Sequence, residues 1–196
     1  MKPHLRLLFR ACALLFLTQA ASAQWSATNG PEGGMLSAIL HDGTYLYAGG
    51  SGGVYRSSNN GDAWTAANFD MWPFTYVFSL ASNGSVLLAG TSFEGIYRST
   101  DKGVSWTDGS EGIPQYAQVR AIVAIGTRFL CSADGSIYLS TDGGSTWTES
   151  AAGLPASSGI EAFAVAGTFV YAGSFGGGVF RSSDNGTTWV ETNNGL

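Results

Sequence analysis

Acidic and amide side chains recur at one position of an eight-residue segment that the chain carries four times. The third residue of this segment is Asn59, Asp101, Asp142 or Asp184, and an aspartate at a fixed spacing could bind a metal ion or act as a catalytic acid. A calcium loop needs further acidic ligands, which the segment lacks, and Asn59 could not replace a catalytic carboxylate. We therefore interpret these residues as caps that accept hydrogen bonds from backbone N–H groups in a tight turn.

A glycine at the fifth position and a tryptophan at the eighth position of the segment also have structural explanations. Glycine adopts a positive φ without a Cβ clash, and tryptophan combines a large apolar surface with one N–H donor. These residues are Gly61, Gly103, Gly144 and Gly186, and Trp64, Trp106, Trp147 and Trp189. The tryptophans are 42, 41 and 42 residues apart, and a regular period of this length indicates a repeat protein.

A second group of candidate residues breaks the repeat. Residues 69–76, which join the first repeat to the second, read Phe-Asp-Met-Trp-Pro-Phe-Thr-Tyr, whereas the corresponding residues 151–159 are small and polar. Exposed aromatic rings suit stacking on a sugar or contact with a protein partner, although the same rings could simply cover the local surface. The candidate ligand-binding residues are Trp72, as the anchor, with Phe69, Phe74, Phe93, Glu94, Tyr116 and Phe175.

The sequence contains little evidence for a set of catalytic residues. Glu94 with Glu111 or Asp134 could supply the two carboxylates that glycoside hydrolysis needs, but acidic loop residues are usually just solvated. Cys131 is the only cysteine after residue 23 and has no histidine near it in sequence, so we interpret it as a buried apolar residue. We predict no metal ion and no cofactor, and we favour a protein that is not an enzyme.

Residues 1–23 have the pattern of a secretory signal peptide. Lys2, Arg6 and Arg10 precede a short apolar run, and residues 21–23, Ala-Ser-Ala, have the small-x-small form of a cleavage site. The apolar run is too short to span a bilayer, so the sequence predicts cleavage after Ala23 and a secreted or periplasmic protein without membrane insertion. Without these three cations, six of the nine Lys and Arg residues remain against 14 Asp and Glu, which argues against nucleic acid as a partner.

Each repeat contains four segments with strand character and no helical period. The predicted first strands cover 36–40, 77–81, 119–123 and 160–164; the second cover 45–49, 86–90, 129–132 and 169–173; the third cover 54–57, 96–99, 137–140 and 179–182. A fourth strand begins at each repeat tryptophan. Four short antiparallel strands in about 40 residues are typical of propeller blades, whose faces are buried by their neighbours. We therefore predict an all-β β-propeller over residues 24–196, with repeats that end at about 64, 106, 147 and 189.

The repeated motif, Ser/Thr-x-Asp-x-Gly-x-Thr/Ser-Trp, resembles the Asp-box, or BNR, repeat over residues 25–196. Proteins with this repeat include sialidases, xyloglucan-cleaving endoglucanases, sortilin-type receptors and the photosystem II assembly factor, and the chain is most similar in character to secreted bacterial tandem-blade proteins. The resemblance implies the blade but no single function. A sialidase needs three converging arginines; Arg56, Arg98 and Arg181 recur with the repeat, which favours a scaffold role, and the other two, Arg120 and Arg128, do not supply the set.

The segment that starts at Trp25 resembles the residues that follow each repeat tryptophan, so we expect an extra strand there. Asp-box propellers usually have six to eight blades, which leads us to expect a larger propeller truncated at its C-terminus, or else self-association through the open blade edges. Three functions remain open: a non-catalytic scaffold that binds a protein or glycan through the face that carries the blade links, a glycoside hydrolase of the xyloglucan-cleaving type, and an assembly factor.

Overall fold

The computed structural model describes residue 30, residues 34–156 and residues 158–196. Within these ranges every regular element is a β-strand, and sixteen strands form four sheets of four strands each. The same ranges contain no helix that is long and apolar enough to cross a membrane. The predicted signal peptide at 1–23 and the predicted strand near Trp25 lie outside the described residues.

Each sheet is built from four consecutive strands. The first strands are β1 (Leu36–His41), β5 (Val77–Ser82), β9 (Val119–Ile125) and β13 (Ile160–Ala166). The second strands are β2 (Leu46–Gly50), β6 (Leu87–Thr91), β10 (Arg128–Ala133) and β14 (Phe169–Ser174). The third strands are β3 (Gly53–Ser57), β7 (Ile96–Ser99), β11 (Ser136–Ser140) and β15 (Gly178–Ser182). The fourth strands are only two residues long: β4 (Thr65–Ala66), β8 (Thr107–Asp108), β12 (Thr148–Glu149) and β16 (Val190–Glu191).

All four sheets are antiparallel meanders in which consecutive strands pair. The first strands pack against one another in succession, β1 on β5, β5 on β9 and β9 on β13, and the outermost strand of each sheet is the short fourth strand. This is the architecture of propeller blades arranged around an axis. The predicted all-β fold with four-stranded antiparallel blades is confirmed; we number the blades one to four along the chain.

The hydrophobic core lies between the blades. Three clusters of buried side chains each draw residues from two neighbouring blades. The cluster between blades one and two, for example, contains Tyr47 and Val54 from blade one and Val77, Leu87 and Trp106 from blade two. Because one blade cannot bury both of its own faces, the stability of the array depends on blade–blade contacts.

The repeated eight-residue segment forms a turn between the third and fourth strands, and Asp142 lies at its centre. The Asp142 carboxylate accepts hydrogen bonds from the Ser140 hydroxyl at 2.8 Å, from the N–H groups of Ser145 and Thr146 at 3.1 and 3.0 Å, and from the Thr146 hydroxyl at 2.7 Å. The Ser140 hydroxyl in turn accepts the N–H of Gly144 at 2.8 Å. These contacts satisfy donors within one turn, which is the geometry of a cap.

The fourth position of the same turn also has a left-handed backbone, which the sequence did not reveal. Asn60, Lys102 and Asn185 have φ values of 58, 61 and 58°, and the corresponding Gly143 has 75°. Asparagine and glycine tolerate this region at low cost, whereas lysine does not. Lys102 nevertheless adopts it, and its ammonium group forms an ion pair with Asp42 at 3.0 Å.

Cys131 lies on β10 and is fully buried within the core between blades two and three. Burial raises the pKa of its thiol well above the usual value, because the thiolate would lose its hydration. We expect Cys131 in the folded protein to remain unmodified by a disulfide reagent such as dithionitrobenzoate, and to react at once in denaturant. The measurement is the thiol titre before and after addition of guanidinium chloride, and rapid reaction of the native protein would contradict the burial.

Candidate functional site

An open groove of about 640 Å³ lies over blade two, between two connecting segments. We call residues 69–76 the first link, residues 109–116 the second link, and this depression the link groove. Its principal side chains are Asp70 and Trp72 from the first link, Phe93 and Glu94 from the β6–β7 turn, Asp108 from β8, and Tyr116 from the second link. The antiparallel order of blade two brings these segments, which are distant in sequence, to one end of one sheet.

The backbone of Trp72 is held by hydrogen bonds, whereas its ring is exposed to solvent. Its N–H donates to the Tyr97 hydroxyl at 3.1 Å, and its carbonyl oxygen accepts the N–H and the hydroxyl of Thr75 at 3.2 and 2.8 Å. Thr75 itself is buried, yet 72% of the Trp72 surface is exposed. The first link therefore presents a large flat ring to solvent from a well-anchored position.

Three residues of the two links have a left-handed backbone conformation, which is unfavourable for residues other than glycine. The φ values are 69° at Asp70, 70° at Phe74 and 64° at Tyr116. Short turns support this conformation, since Ala117 N–H donates to the Pro114 carbonyl at 3.1 Å. The left-handed backbone at these positions sets where the side chains of the links project.

Glu94 is placed by the β6–β7 turn. The Thr91 hydroxyl donates to the Gly95 carbonyl at 3.0 Å and accepts the Glu94 N–H at 2.9 Å. The Oε2 atom of Glu94 is shielded from solvent and has no hydrogen-bond partner among the described residues. A shielded carboxylate oxygen without a donor is unfavourable, so a small movement of the β6–β7 turn that exposes this oxygen to a ligand donor would be favoured.

The link groove has an acidic character. It is lined by Asp70, Glu94 and Asp108, and none of its described lining residues is a lysine or an arginine. Asp108 Oδ1 accepts the N–H of Ser110 at 2.9 Å, which fixes that carboxylate at the edge of the groove. Three carboxylates without a nearby cation produce a negative potential, which disfavours anionic ligands.

Four of the seven predicted ligand-binding residues meet in the link groove: Trp72, Phe93, Glu94 and Tyr116. The other three do not line it. Phe69 and Phe74 are exposed elsewhere on the first link, and Phe175 lies on the β14–β15 turn of blade four, where its N–H donates to the Gly159 carbonyl at 2.8 Å. Two further acidic lining residues were not predicted: Asp70, which lies within the first link, and Asp108, which directly precedes the second link.

The structure does not bring together the carboxylate pairs considered for hydrolysis. Asp134 lines a separate groove of about 290 Å³ with Arg120 and Glu161, and its Oδ1 accepts the N–H of Gln118 at 2.9 Å. Glu111 does not line the link groove, and its backbone carbonyl oxygen accepts the backbone N–H of Trp147. If Glu94 has a carboxylate partner, that partner is Asp70 or Asp108.

The recurrent arginines point between the blades and do not converge on one site. Arg56 donates to the Lys102 carbonyl at 2.8 Å, and Arg98 donates to the Gly143 carbonyl at 2.9 Å, in each case across to the repeated turn of the next blade. Among the described residues, no group of three or more His, Cys, Asp or Glu side chains is arranged to hold a metal ion.

No protein-family model matches the chain, and no curated protein matches it. Among solved structures, it is similar to the GH74 xyloglucanase from Xanthomonas campestris, with 18% identity and a TM-score of 0.67 over 87% of this chain and 32% of that one. The GH74 enzyme of Niastella koreensis has 24% identity and a TM-score of 0.63 over 81% of this chain and 24% of its own. YCF48 bound to a D1 peptide has 18% identity and a TM-score of 0.63 over 84% of this chain and 57% of its own.

The chain thus spans between about a quarter and three fifths of the length of these structures. Sequence identities this low establish a shared fold and leave function open. The similarity to these structures agrees with the four antiparallel sheets of this chain, an arrangement that helical folds and mixed folds do not have. The described part of the chain is an array of four β-propeller blades of the kind present in xyloglucanases and YCF48 proteins.

Proposed function

We propose that this chain is a secreted, non-catalytic module of the Asp-box family that binds a neutral glycan in the link groove. The observation that carries the proposal is the exposed Trp72 ring, anchored through its backbone, in one groove with Phe93, Tyr116 and the unpartnered Glu94 carboxylate. Secretion rests on the signal-peptide pattern of residues 1–23, and the Asp-box assignment rests on the four repeated turns.

The chemistry of a neutral sugar fits these groups. The C–H face of a pyranose ring stacks on an aromatic ring, while its hydroxyl groups donate to carboxylates. Trp72 and Tyr116 come from the two links and both line the groove, so they offer two aromatic stacking surfaces, and Glu94, which also lines it, offers a carboxylate acceptor. Sugars that carry carboxylate or sulfate groups are disfavoured by the three carboxylates of the groove.

Two other functions have a specific observation in their favour. A glycoside hydrolase of the xyloglucan-cleaving type is supported by the three carboxylates of the groove and by the fold shared with xyloglucanases. Hydrolysis needs a carboxylic acid and a second carboxylate at a set separation across the bond to be cleaved. An assembly factor that holds a basic peptide is supported by the acidity of the groove and by the likeness to YCF48, which was solved with a D1 peptide.

A Trp72→Ala variant is expected to lose at least about ten-fold in glycan affinity, because an aromatic anchor contributes about 1.4 kcal/mol or more to binding. Its thermal midpoint should stay close to that of the wild type, since the ring is exposed and makes no part of the core. The measurement is a screen on a glycan array, followed by isothermal titration with the best neutral oligosaccharide.

Phe74→Ala is the matched control, because Phe74 belongs to the same link, is 95% exposed and does not line the groove. It should bind as the wild type does. Equal affinity of the Trp72→Ala variant and the wild type would contradict the proposed site. Binding of lysine- or arginine-rich peptides without any glycan would favour the assembly-factor function, and release of new reducing ends from xyloglucan, lost in Glu94→Gln, would favour the hydrolase.

A further inference from the structure

The first strand of every blade contains a β-bulge at the same position, and the bulged residue differs from blade to blade. In each case the pairing with the second strand skips one residue, and the skipped residues are Ser37, Phe78, Arg120 and Glu161. The residue before each of them is apolar, namely Leu36, Val77, Val119 and Ile160. Because a bulge re-aims the side chain that it carries, this repeated position gives each blade a different side chain without changing the strand around it.

Arg120 is the bulged residue whose side chain has partners in three blades. Its guanidinium stands 5.4 Å from the centre of the Phe78 ring of blade two. One terminal nitrogen donates to Gln118 Oε1 of blade three at 3.0 Å, and the other donates to Glu161 Oε2 of blade four at 3.4 Å. A guanidinium has five N–H donors, and the Nε of Arg120 donates to no described residue although the side chain is 45% exposed. The group is therefore positioned by the protein while it keeps donors for a ligand.

The polar groove, as we call it, is the open groove of about 290 Å³ that is lined by Gln118, Arg120, Asp134, Gly135, Gly159 and Glu161. The Gln118 N–H donates to Asp134 Oδ1 at 2.9 Å, and the Asp134 N–H donates to the Gln118 carbonyl at 3.1 Å. These two hydrogen bonds fix one wall and leave Asp134 Oδ2 without a donor among the described residues. The polar groove thus offers both N–H donors and carboxylate acceptors.

The polar groove and the link groove lie on either side of the end of the second link. Tyr116 lines the link groove, and Gln118, two residues later, lines the polar groove. Two residues of extended chain span at most about 7 Å, so the two linings come close together at this point. Ala117 between them is fully buried, whereas Tyr116 is 71% exposed. An oligosaccharide that stacks on Tyr116 in the link groove therefore has the polar groove beside it.

We infer that the polar groove is a second subsite for a neutral glycan, and that it takes the sugar units that extend from the link groove past Tyr116. The inference rests on the function proposed for the link groove. In the second subsite, hydroxyl groups of one sugar ring accept hydrogen bonds from the Arg120 guanidinium and donate to the carboxylates of Asp134 and Glu161. Hydrogen bonds to charged groups of this kind are the stronger ones in proteins.

The charges of the polar groove favour a neutral sugar over a charged ligand. Its lining carries one cation, Arg120, and two carboxylates, Asp134 and Glu161. An acidic sugar would meet an excess of negative charge, and a basic peptide would meet the guanidinium. A sugar hydroxyl both donates and accepts hydrogen bonds, which matches a groove that offers both kinds of group.

The test is isothermal titration with a length series of the neutral oligosaccharide selected on the glycan array, from the disaccharide to the hexasaccharide. Wild-type affinity is expected to rise at least about ten-fold along the series, because the second subsite adds to the first once the chain can reach both. Arg120→Ala should lose this gain and bind the shortest members as the wild type does. Its thermal midpoint should stay unchanged, since an exposed ion pair contributes little to stability.

Arg128→Ala is the matched control, because Arg128 is an exposed arginine of the same blade that lines neither groove. It should match the wild type at every length, and Trp72→Ala should bind more weakly at every length. If the wild type bound no member of the series, the function proposed for the link groove would fail, and this inference with it. Affinity that does not rise with length, or that Arg120→Ala leaves unchanged or weakens equally at all lengths, would overturn the second subsite alone.

Discussion

A Trp147→Ala variant is expected to lose about 3–5 kcal/mol of unfolding free energy, which is the usual cost of truncating a fully buried tryptophan. The Trp147 ring belongs to the core between blades two and three, where it packs with Leu88, Phe129 and other apolar side chains. Its indole N–H also donates to the Gly109 carbonyl at 2.8 Å. The substitution would therefore leave both a cavity and a buried acceptor without its donor.

Equilibrium unfolding in urea measures this loss, with Trp72→Ala as the control. Trp72 has the same side chain on an exposed link, so its truncation should change the unfolding free energy by less than about 0.5 kcal/mol. Trp147→Phe keeps most of the apolar volume and removes the N–H, so it should cost about 1–3 kcal/mol. A loss of less than 1 kcal/mol in Trp147→Ala would show that the repeated tryptophans do not hold the blades together.

The second large effect concerns the repeated turn. An Asp142→Ala variant is expected to lose about 1–3 kcal/mol of unfolding free energy at pH 7, because four hydrogen bonds to a charged acceptor disappear. The loss should depend on pH. Partial burial raises the pKa of Asp142, but the hydrogen bonds from Thr146, Ser140 and Ser145 lower it from 3.8 to about 2.

A carboxyl group with a pKa below its unfolded value stabilises the folded state above that value, and the contribution is lost as pH falls through the folded pKa. The difference in stability between the wild type and Asp142→Asn should therefore shrink between pH 5 and about pH 2. Asn59 in the first turn shows that an amide fits, since its Oδ1 accepts the Ser57 hydroxyl at 2.8 Å and the Ala63 N–H at 3.0 Å. The measurement is urea unfolding of the wild type and of Asp142→Asn at several pH values between 5 and 2. A difference in unfolding free energy that does not change with pH would contradict a charged cap.

Asp101 and Asp184 should behave as Asp142 does. Partial burial raises the pKa of Asp101, and hydrogen bonds from Ser105 and Ser99 outweigh it and lower the pKa to about 2. Hydrogen bonds from the backbone and hydroxyl of Thr188 are the main cause of a pKa of about 2 at Asp184. Three of the four turns are thus sensitive to acid, and the first turn is not, because Asn59 does not titrate.

Much of the fold could be predicted from the sequence because each blade repeats the same local chemistry. The turn residues fix where the third strand ends, and the alternation of apolar residues locates the strands to within one or two positions, as at β7, predicted and observed at 96–99. The fourth strands were predicted to begin at the tryptophans. They begin one residue later and are only two residues long. In the third and fourth blades the backbone N–H of the tryptophan donates to the preceding link, from Trp147 to the Glu111 carbonyl and from Trp189 to the Ala152 carbonyl, and so does not join the ladder.

The link groove could be predicted only in part. Trp72, Phe93 and Tyr116 were identified because they interrupt the repeat with aromatic rings. Asp108 was missed because its place depends on the pairing of β8 with β7, where it stands opposite Tyr97, and residue types alone do not reveal that pairing. Phe175 was misassigned to the patch for a related reason: it occupies the same turn as Phe93, but two blades further along the array.

The most direct test of the proposed binding function is the intrinsic fluorescence of Trp72 during titration with the neutral oligosaccharide selected on the array. Trp106, Trp147 and Trp189 are buried and Trp64 is half-buried, so Trp72 is the described tryptophan that is open to a ligand in the groove. A saturable change in the emission spectrum is expected for the wild type and for Phe74→Ala, but not for Trp72→Phe, with the oligosaccharide recovered intact. An unchanged response in Trp72→Phe, or a cleaved oligosaccharide, would contradict a non-catalytic binding site in the link groove.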